Sequence, residues 1–286
     1  MKIIRAEHLG MCFGVRDAIA LAREVAKTEP VTVLGQLVHN PVVLERMQRA
    51  GVRFAAEPEE ADTGRALITA HGASDQFRRR AERTGLRLTD TTCPLVTHAH
   101  RMLHSMVNEG CFPVVIGRKD HVEVRGLTDD LMAFAVVLTE AEVDALPQKE
   151  RYGVCAQTTQ PIHRVRTLVD RLRRRFPDSE VRFADTVCQP TKQRQAAAEA
   201  VARAVELVVV VGGANSNNTA ELSATCRLHC RKVHQVERPE ELSPAWFWGV
   251  EVAGLTAGTS TPDDLIDAVE LRMMELAAQS AAAVPG

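Results

Sequence analysis

The sequence predicts an α/β protein whose strands form parallel sheets, and three observations carry that expectation. Short β-rich runs alternate with longer helical ones, the pattern of successive βαβ units. The strongest apolar run, residues 207–211, is five residues long and stops at Gly212-Gly213, as a buried strand does. A strand, a cysteine-bearing turn and a helix follow one another three times along the chain.

In chain order, β-rich runs predict strands over residues 2–6, 31–34, 66–70, 87–90, 114–117, 136–139, 153–156, 181–185, 207–211 and 252–256. The longer stretches between them predict helices over 15–27, 41–50, 75–84, 96–110, 162–176, 192–205, 219–228 and 262–276. The Ala-rich end, residues 278–286, reads as a frayed tail.

The recurring turn organises the chain. Asp90-Thr91-Thr92-Cys93-Pro94 and Asp185-Thr186-Val187-Cys188-Gln189-Pro190 each end a strand and precede a helix, and Gly10-Met11-Cys12-Phe13-Gly14 does the same. The cysteines are 81 and 95 residues apart. One reading is three similar units, over residues 1–92, 93–187 and 188–277, each giving one cysteine to a common centre. The other is one larger sheet with three unrelated turn cysteines.

Composition removes several function classes. With 286 residues and 45% hydrophobic content the chain can bury a core. A net charge of -2 and 4% aromatics argue against a nucleic-acid surface. No run approaches the roughly 20 apolar residues of a membrane helix, and the N-terminus lacks a signal-peptide core. The expected location is the cytoplasm, where the seven cysteines stay reduced.

Polar groups collect just after strands, where parallel sheets bind ligands. They are His39, His71, His121 with Glu123, Thr158 with Thr159, the loop 212–219 with Ser216, Asn217 and Asn218, and the loop 256–262 with Ser260. The last two loops feed helix N-termini, which suit phosphate; simple capping by Asn218 or Ser260 is the alternative. Three cysteines without a close pair fit zinc poorly and an iron–sulfur cluster better; three core thiols without metal are the alternative. Cys111 and Cys155 read as core. Cys226 and Cys230, beside His229 and His234, admit a zinc site. The arginine runs 78–80 and 171–175 read as solvated helix faces or as a docking face for an acidic redox partner.

Taken together, one set of residues resembles the LytB/IspH family. It comprises Gly10-x-Cys12-x-Gly14-Val15, His39-Asn40, His71-Gly72, Thr92-Cys93-Pro94, His121-x-Glu123-Val124, Gln157-Thr158-Thr159, Cys188-x-x-Thr191-x-x-Arg194-Gln195, Asn215-Ser216-x-Asn218-Thr219 and Ala257-Gly258-x-Ser260-x-Pro262-Asp263. These motifs span almost the whole chain. Members of the family reduce 4-hydroxy-3-methylbut-2-enyl diphosphate to isopentenyl and dimethylallyl diphosphate, the last step of the non-mevalonate isoprenoid pathway.

The resemblance implies a cloverleaf of three α/β domains around a [4Fe-4S] cluster. Cys12, Cys93 and Cys188 would be its ligands, with one open iron. His39, His71, His121, Ser216, Asn217, Asn218 and Ser260 would hold the diphosphate. Glu123 would supply the proton, with His121 nearby, and Thr158 or Thr159 would hydrogen-bond near the substrate hydroxyl, Thr158 being placed first as the contact of Glu123. Reduced ferredoxin or flavodoxin would bring electrons.

The chain departs from the family pattern at three places. Ala214 stands where Lys is usual, Val122 where Pro is usual, and Glu221 where a basic or polar residue is common. Glu221 is expected to face solvent from the first helical turn, where it favours the helix dipole. The departures leave room for a paralogous enzyme on another anionic substrate, or a cluster-based sensor.

Overall fold

The computed structural model describes residues 1–282. The chain opens with β1 (Lys2–Arg5), α1 (Phe13–Thr28), β2 (Val31–Leu34), α2 (Pro41–Arg49), β3 (Val52–Ala55), β4 (Arg65–Ile68), α3 (Asp75–Arg83) and β5 (Arg87–Asp90). It continues with α4 (Pro94–Asn108), β6 (Phe112–Ile116), α5 (Val122–Thr128), β7 (Ala135–Val137), α6 (Glu140–Asp144), β8 (Arg151–Ala156), α7 (Ile162–Arg175) and β9 (Glu180–Phe183). It ends with α8 (Gln189–Ala204), β10 (Leu207–Val211), α9 (Asn217–Arg227), β11 (Lys232–Val236), β12 (Val252–Ala257) and α10 (Asp263–Ala282).

The strands form three four-stranded sheets of order β3-β2-β4-β5, β7-β6-β8-β9 and β11-β10-β12-β1, with every pairing parallel. The order is the same each time: second strand, first, third, fourth. In the third sheet the fourth strand is β1, taken from the other end of the chain, with Lys2 opposite Val252 and Arg5 opposite Leu255. The sheet expected within residues 1–92 therefore lacks its N-terminal strand, and Cys12 goes with the third sheet. Three similar parallel-sheet units replace the alternative of one larger sheet.

Inner strands are apolar because helices cover both faces: every residue of β2 and β10 is buried. Outer strands are half exposed and more polar. Two elements absent from the expected set, β3 and β11, are of this kind. Short charged strands of this type protect a sheet edge from further pairing. Two short helices, α5 and α6, were also not expected. Helix α10 runs through Ala282, so residues 278–282 of the expected tail are helical; the rest of that tail lies outside the described residues.

The molecule divides into two compact units. One contains Met1–Val15, His39–Arg46 and the chain from Gln189 onward, built on the third sheet. Val42 packs in its core beside Leu265 and Ile266, and Arg46 pairs with Asp264 at 2.7 Å. The other contains Arg16–Val38 and Met47–Cys188, with the first two sheets.

Candidate active site

Each of the three turn cysteines directly precedes a helix: Cys12 before α1, Cys93 before α4 and Cys188 before α8. A helix N-terminus favours the thiolate, because unpaired N–H groups and the dipole offset negative charge there. Each cysteine is also pinned in the same way. Its N–H donates to the loop that follows the third strand of its own sheet: Cys93 to Ala70 O, Cys188 to Thr158 O and Cys12 to Thr259 O, each at 3.0 Å. The threonine two residues ahead repeats as well. Thr91 Oγ1 donates to Ile68 O, and Thr186 Oγ1 donates to Ala156 O at 2.6 Å. The Asp-Thr-x-Cys echo is thus a structural device that anchors the turn to the adjacent inner strand.

The other four cysteines differ. All four are buried, whereas the turn cysteines are half-buried. Burial raises the Cys111 thiol and pushes those of Cys155 and Cys226 up to about 12, so they remain protonated. The zinc reading of Cys226 and Cys230 gives way to a structural one. Both thiols donate to backbone carbonyls, Cys226 to Ala198 and Cys230 to Val205 and Lys232, and His234 stacks on Trp246 at 3.8 Å.

The unit with the first two sheets gathers His71, Cys93, His121, Glu123, Thr158 and Cys188. His121 is the N-cap of α5: its Nδ1 accepts from the Glu123 N–H at 3.1 Å, leaving Nε2 as the ring's donor. The segment expected as a loop is therefore a cap and the first turn of a helix, which aims Glu123 inward. His71 meets the His121 ring edge-on at 5.6 Å. Glu123 is 1% exposed. Thr158 holds both its oxygens, its N–H on Oε1 at 2.6 Å and its hydroxyl on Oε2 at 3.0 Å. Burial outweighs these two bonds and pushes the carboxyl up to about 7. Thr159 instead accepts from Gln157 Nε2 at 3.2 Å. Val122 occupies the first position of α5, where proline costs nothing but is not required.

The other unit gathers Cys12, His39, Ser216, Asn217, Asn218 and Ser260. Ser216 caps α9 by accepting from the Thr219 N–H at 3.3 Å, so Asn218 is not the cap of that helix. Asn218 Oδ1 accepts from the Thr259 N–H at 2.9 Å, while its buried Nδ2 has no partner. A buried donor left unpaired is costly and calls for an acceptor. Ser260 Oγ donates to His39 O at 3.1 Å, joining two loops distant in sequence. Glu221 is buried, contrary to the solvent-facing expectation, and its carbonyl accepts from Thr225 Oγ1 at 2.9 Å. Ala214 is exposed, and its N–H donates to Glu237 Oε1 at 2.5 Å.

Gly213 is required by the approach of the His39 loop. A Cβ there would lie 2.6 Å from His39 O. Gly213→Ala is expected to cost about 1–3 kcal/mol through overpacking against backbone. Thermal unfolding reads the loss, and an unchanged Tm would contradict the close approach.

Known proteins resemble this chain along nearly its whole length. A model of the LytB protein family matches residues 3–274. The chain is 37% identical over 278 residues to a 4-hydroxy-3-methylbut-2-enyl diphosphate reductase of Geobacter metallireducens, covering 96% of this chain and 98% of that one. It is 35% identical over 283 residues to the protein of the same description from Aquifex aeolicus, covering 96% and 97%. Among solved structures, the E-1-hydroxy-2-methyl-but-2-enyl-4-diphosphate reductase of Plasmodium falciparum aligns with a TM-score of 0.87 at 27% identity, over 93% of this chain and 86% of that one. A second, described as the terminal enzyme of the non-mevalonate pathway, aligns with a TM-score of 0.68 at 35% identity, over 96% and 99%. Match and coverage extend over nearly the whole chain, and the chain belongs to the LytB family.

Proposed function

We propose that this chain is an oxidoreductase that converts 4-hydroxy-3-methylbut-2-enyl diphosphate to isopentenyl and dimethylallyl diphosphate. The observation that carries the reading is the buried pair Glu123–Thr158, whose threonine carbonyl also accepts the N–H of Cys188. A proton carrier and a turn cysteine are thus both bonded to one residue, Thr158.

An iron–sulfur cluster fits the residues present. Cys12, Cys93 and Cys188 are the half-buried cysteines, each at the positive end of a helix, and they would be its ligands. Among the described residues no group of three His, Cys, Asp or Glu side chains is placed to hold a single metal ion. A [4Fe-4S] cluster asks something different, one thiolate for each of three irons. When bound, it would supply electrons singly and an open iron for the substrate hydroxyl.

The remaining chemistry belongs to the chain. The diphosphate is taken by the N-terminus of α9, by the unpaired Asn218 Nδ2 and by the Ser216 and Ser260 hydroxyls. Asn217 and His39, of the same unit, complete its shell. Anchoring this end orients the allylic alcohol and lowers the entropic barrier. Ala214 and Glu237 make the loop less positive than a lysine would, so amide and hydroxyl donors carry more of the anion. Near neutral pH the Glu123 carboxyl holds a proton part of the time. From Oε2 that proton passes to Thr158 Oγ1, whose own hydroxyl proton goes on to the departing oxygen, so that water leaves rather than hydroxide. Electrons come from a separate reduced carrier of the ferredoxin or flavodoxin class. No helix among the described residues is long and apolar enough to cross a membrane.

The test is anaerobic turnover of the synthetic diphosphate by cluster-loaded protein with a one-electron reductant. Both isomeric diphosphates are the expected products. An intact cluster without turnover would redirect the search to another anionic substrate at the altered loop.

A further inference from the structure

Helix α3, beside the first sheet, is closed at its start by a residue that belongs with the second. The N–H groups of Asp75, Gln76 and Phe77 have no partner within the helix. Ser74 caps the helix from the adjacent chain, accepting from the Phe77 N–H at 3.1 Å. The other two donate to one carboxylate, that of Asp130: Asp75 N–H to Oδ2 at 2.6 Å and Gln76 N–H to Oδ1 at 2.8 Å. Asp130 lies between α5 and β7, 54 and 55 residues further along the chain. Its side chain is 14% exposed, with Arg79 at 4.0 Å. A carboxylate at this end of a helix gains from charged hydrogen bonds and from the dipole together.

Helix α5 needs such an anchor. It has seven residues, too few to persist without tertiary contacts. Its head is capped by the His121 ring, and it ends at Thr128, two residues before Asp130. Along its length it lies on the loop that leads into α3. A Cβ at Gly126 would lie 3.5 Å from Ala73 Cα and 3.6 Å from His100 Cε1 on α4. Three contacts thus join α5 to the segment from His71 to Gln76: ring on ring at the head, Gly126 on Ala73 in the middle, and Asp130 at the tail. Packing tolerates small slides, whereas the paired bonds of Asp130 fix direction as well as distance.

The consequence falls on Glu123, in the first turn of α5. Thr158 holds its carboxyl from the loop after β8, and Asp130 holds the helix that carries it. The titratable groups on the elements around α5 are His71, His121, His100 on α4 and Cys155 on β8. Burial lowers His100 and raises Cys155, which favours the neutral form of both. Exclusion of water is what holds the Glu123 carboxyl high, and that exclusion depends on where α5 sits.

We propose that Asp130 is a positioning residue for Glu123, tying α5 to the start of α3 so that the carboxyl stays seated against Thr158 and closed to water. The inference rests on the reading of Glu123 as the proton carrier.

The experiment compares cluster-loaded wild type with Asp130→Ala, Asp130→Asn and Ser74→Ala at matched iron and sulfide content. Tm, kcat, KM and the pH–rate profile are measured. Asp130→Ala removes both bonds and is expected to lower kcat about 10-fold with KM within about 2-fold of wild type, since the proposed diphosphate shell belongs to the other unit. Its turnover is expected to begin falling at lower pH than the wild type's value of about 7, because water reaching Glu123 relaxes the burial that raises it. Asp130→Asn keeps one acceptor and is expected to lie between. Ser74→Ala removes the other cap of the same helix end, and is expected to lower Tm comparably while kcat and the profile stay as in wild type. A wild-type kcat and profile in Asp130→Ala would overturn the inference. So would a Ser74→Ala protein that reproduces its losses, because the effect would then be one of stability. If Asp130→Ala does not fold, wild-type behaviour in Asp130→Asn overturns it instead. Glu123→Gln, run alongside, separates this inference from the reading beneath it. Adding Asp130→Ala to Glu123→Gln is expected to lower kcat no further, and wild-type turnover in Glu123→Gln alone would remove both.

Discussion

Replacing Glu123 by Gln is expected to lower turnover by about 10²–10⁴-fold, the range associated with a positioned proton donor, and to make the protein more stable at neutral and alkaline pH. The two effects have one origin. The folded protein raises the carboxyl from 4.5 to about 7 because burial disfavours the charge. Between those values the folded state binds a proton that the unfolded state has released. Stability therefore falls as pH rises through that window, and the full penalty is present above about pH 7. The shift corresponds to roughly 3 kcal/mol. Gln carries no charge to bury, so its advantage should be largest near pH 8 and vanish near pH 4. The Thr158 hydroxyl can turn to accept from the new amide, so the site loses its proton without losing its shape. Wild-type turnover should likewise fall as pH rises past about 7, as the protonated form is depleted. Chemical unfolding at both pH extremes and a pH–rate profile check these outcomes. A variant with wild-type turnover would remove Glu123 from the proton path, and an equal stability difference at both pH values would remove the burial argument.

The parts of this fold readable in the sequence are those whose residues face one environment along their length. Strand β10 is Leu-Val-Val-Val-Val because both faces are covered, and its limits are unambiguous. Strand β11, Lys-Val-His-Gln-Val, sits at an edge, and its alternation is blurred by polar residues that water tolerates. Short helices were lost for another reason. In α5 the first turn is held by a histidine side chain acting as cap, and a histidine cap has no strong sequence signature. Long-range pairing lies beyond local pattern altogether. Nothing in Lys2–Arg5 says that its partner is β12, some 250 residues away, yet that pairing decides which unit holds Cys12. For the candidate site, the polar residues after strands were visible one by one. What was hidden is the repeated bond from each cysteine N–H to the third-strand loop. Glu221 shows the limit on the other side: its helical position is legible, but its burial depends on what packs against α9.

Helix α4 offers an internal control for the cysteine assignment, since it has a cysteine beside each end. Cys93 is its N-cap, half-buried, with its N–H on Ala70 O. Cys111 follows its C-terminal end, buried among Met106, Val115 and Cys155. The two sit in opposite fields: the N-terminal end favours a thiolate and the C-terminal end opposes one, and burial raises the Cys111 thiol further. Cys93→Ala is therefore expected to abolish retention of a complete cluster and to eliminate turnover, with little change in Tm because the side chain is only half-buried. Cys111→Ala is expected to leave iron, sulfide and turnover at wild-type levels while costing about 1 kcal/mol of stability through the small cavity it opens. Iron and sulfide analysis with thermal unfolding separates the two cases. The contrast matters more than either variant alone, because a generally destabilising substitution would lower both readouts together. If Cys93→Ala kept a full cluster, the helix-end environment would not be what selects the ligands, and the threefold repetition of strand, turn and cysteine would be a property of the fold rather than of its chemistry.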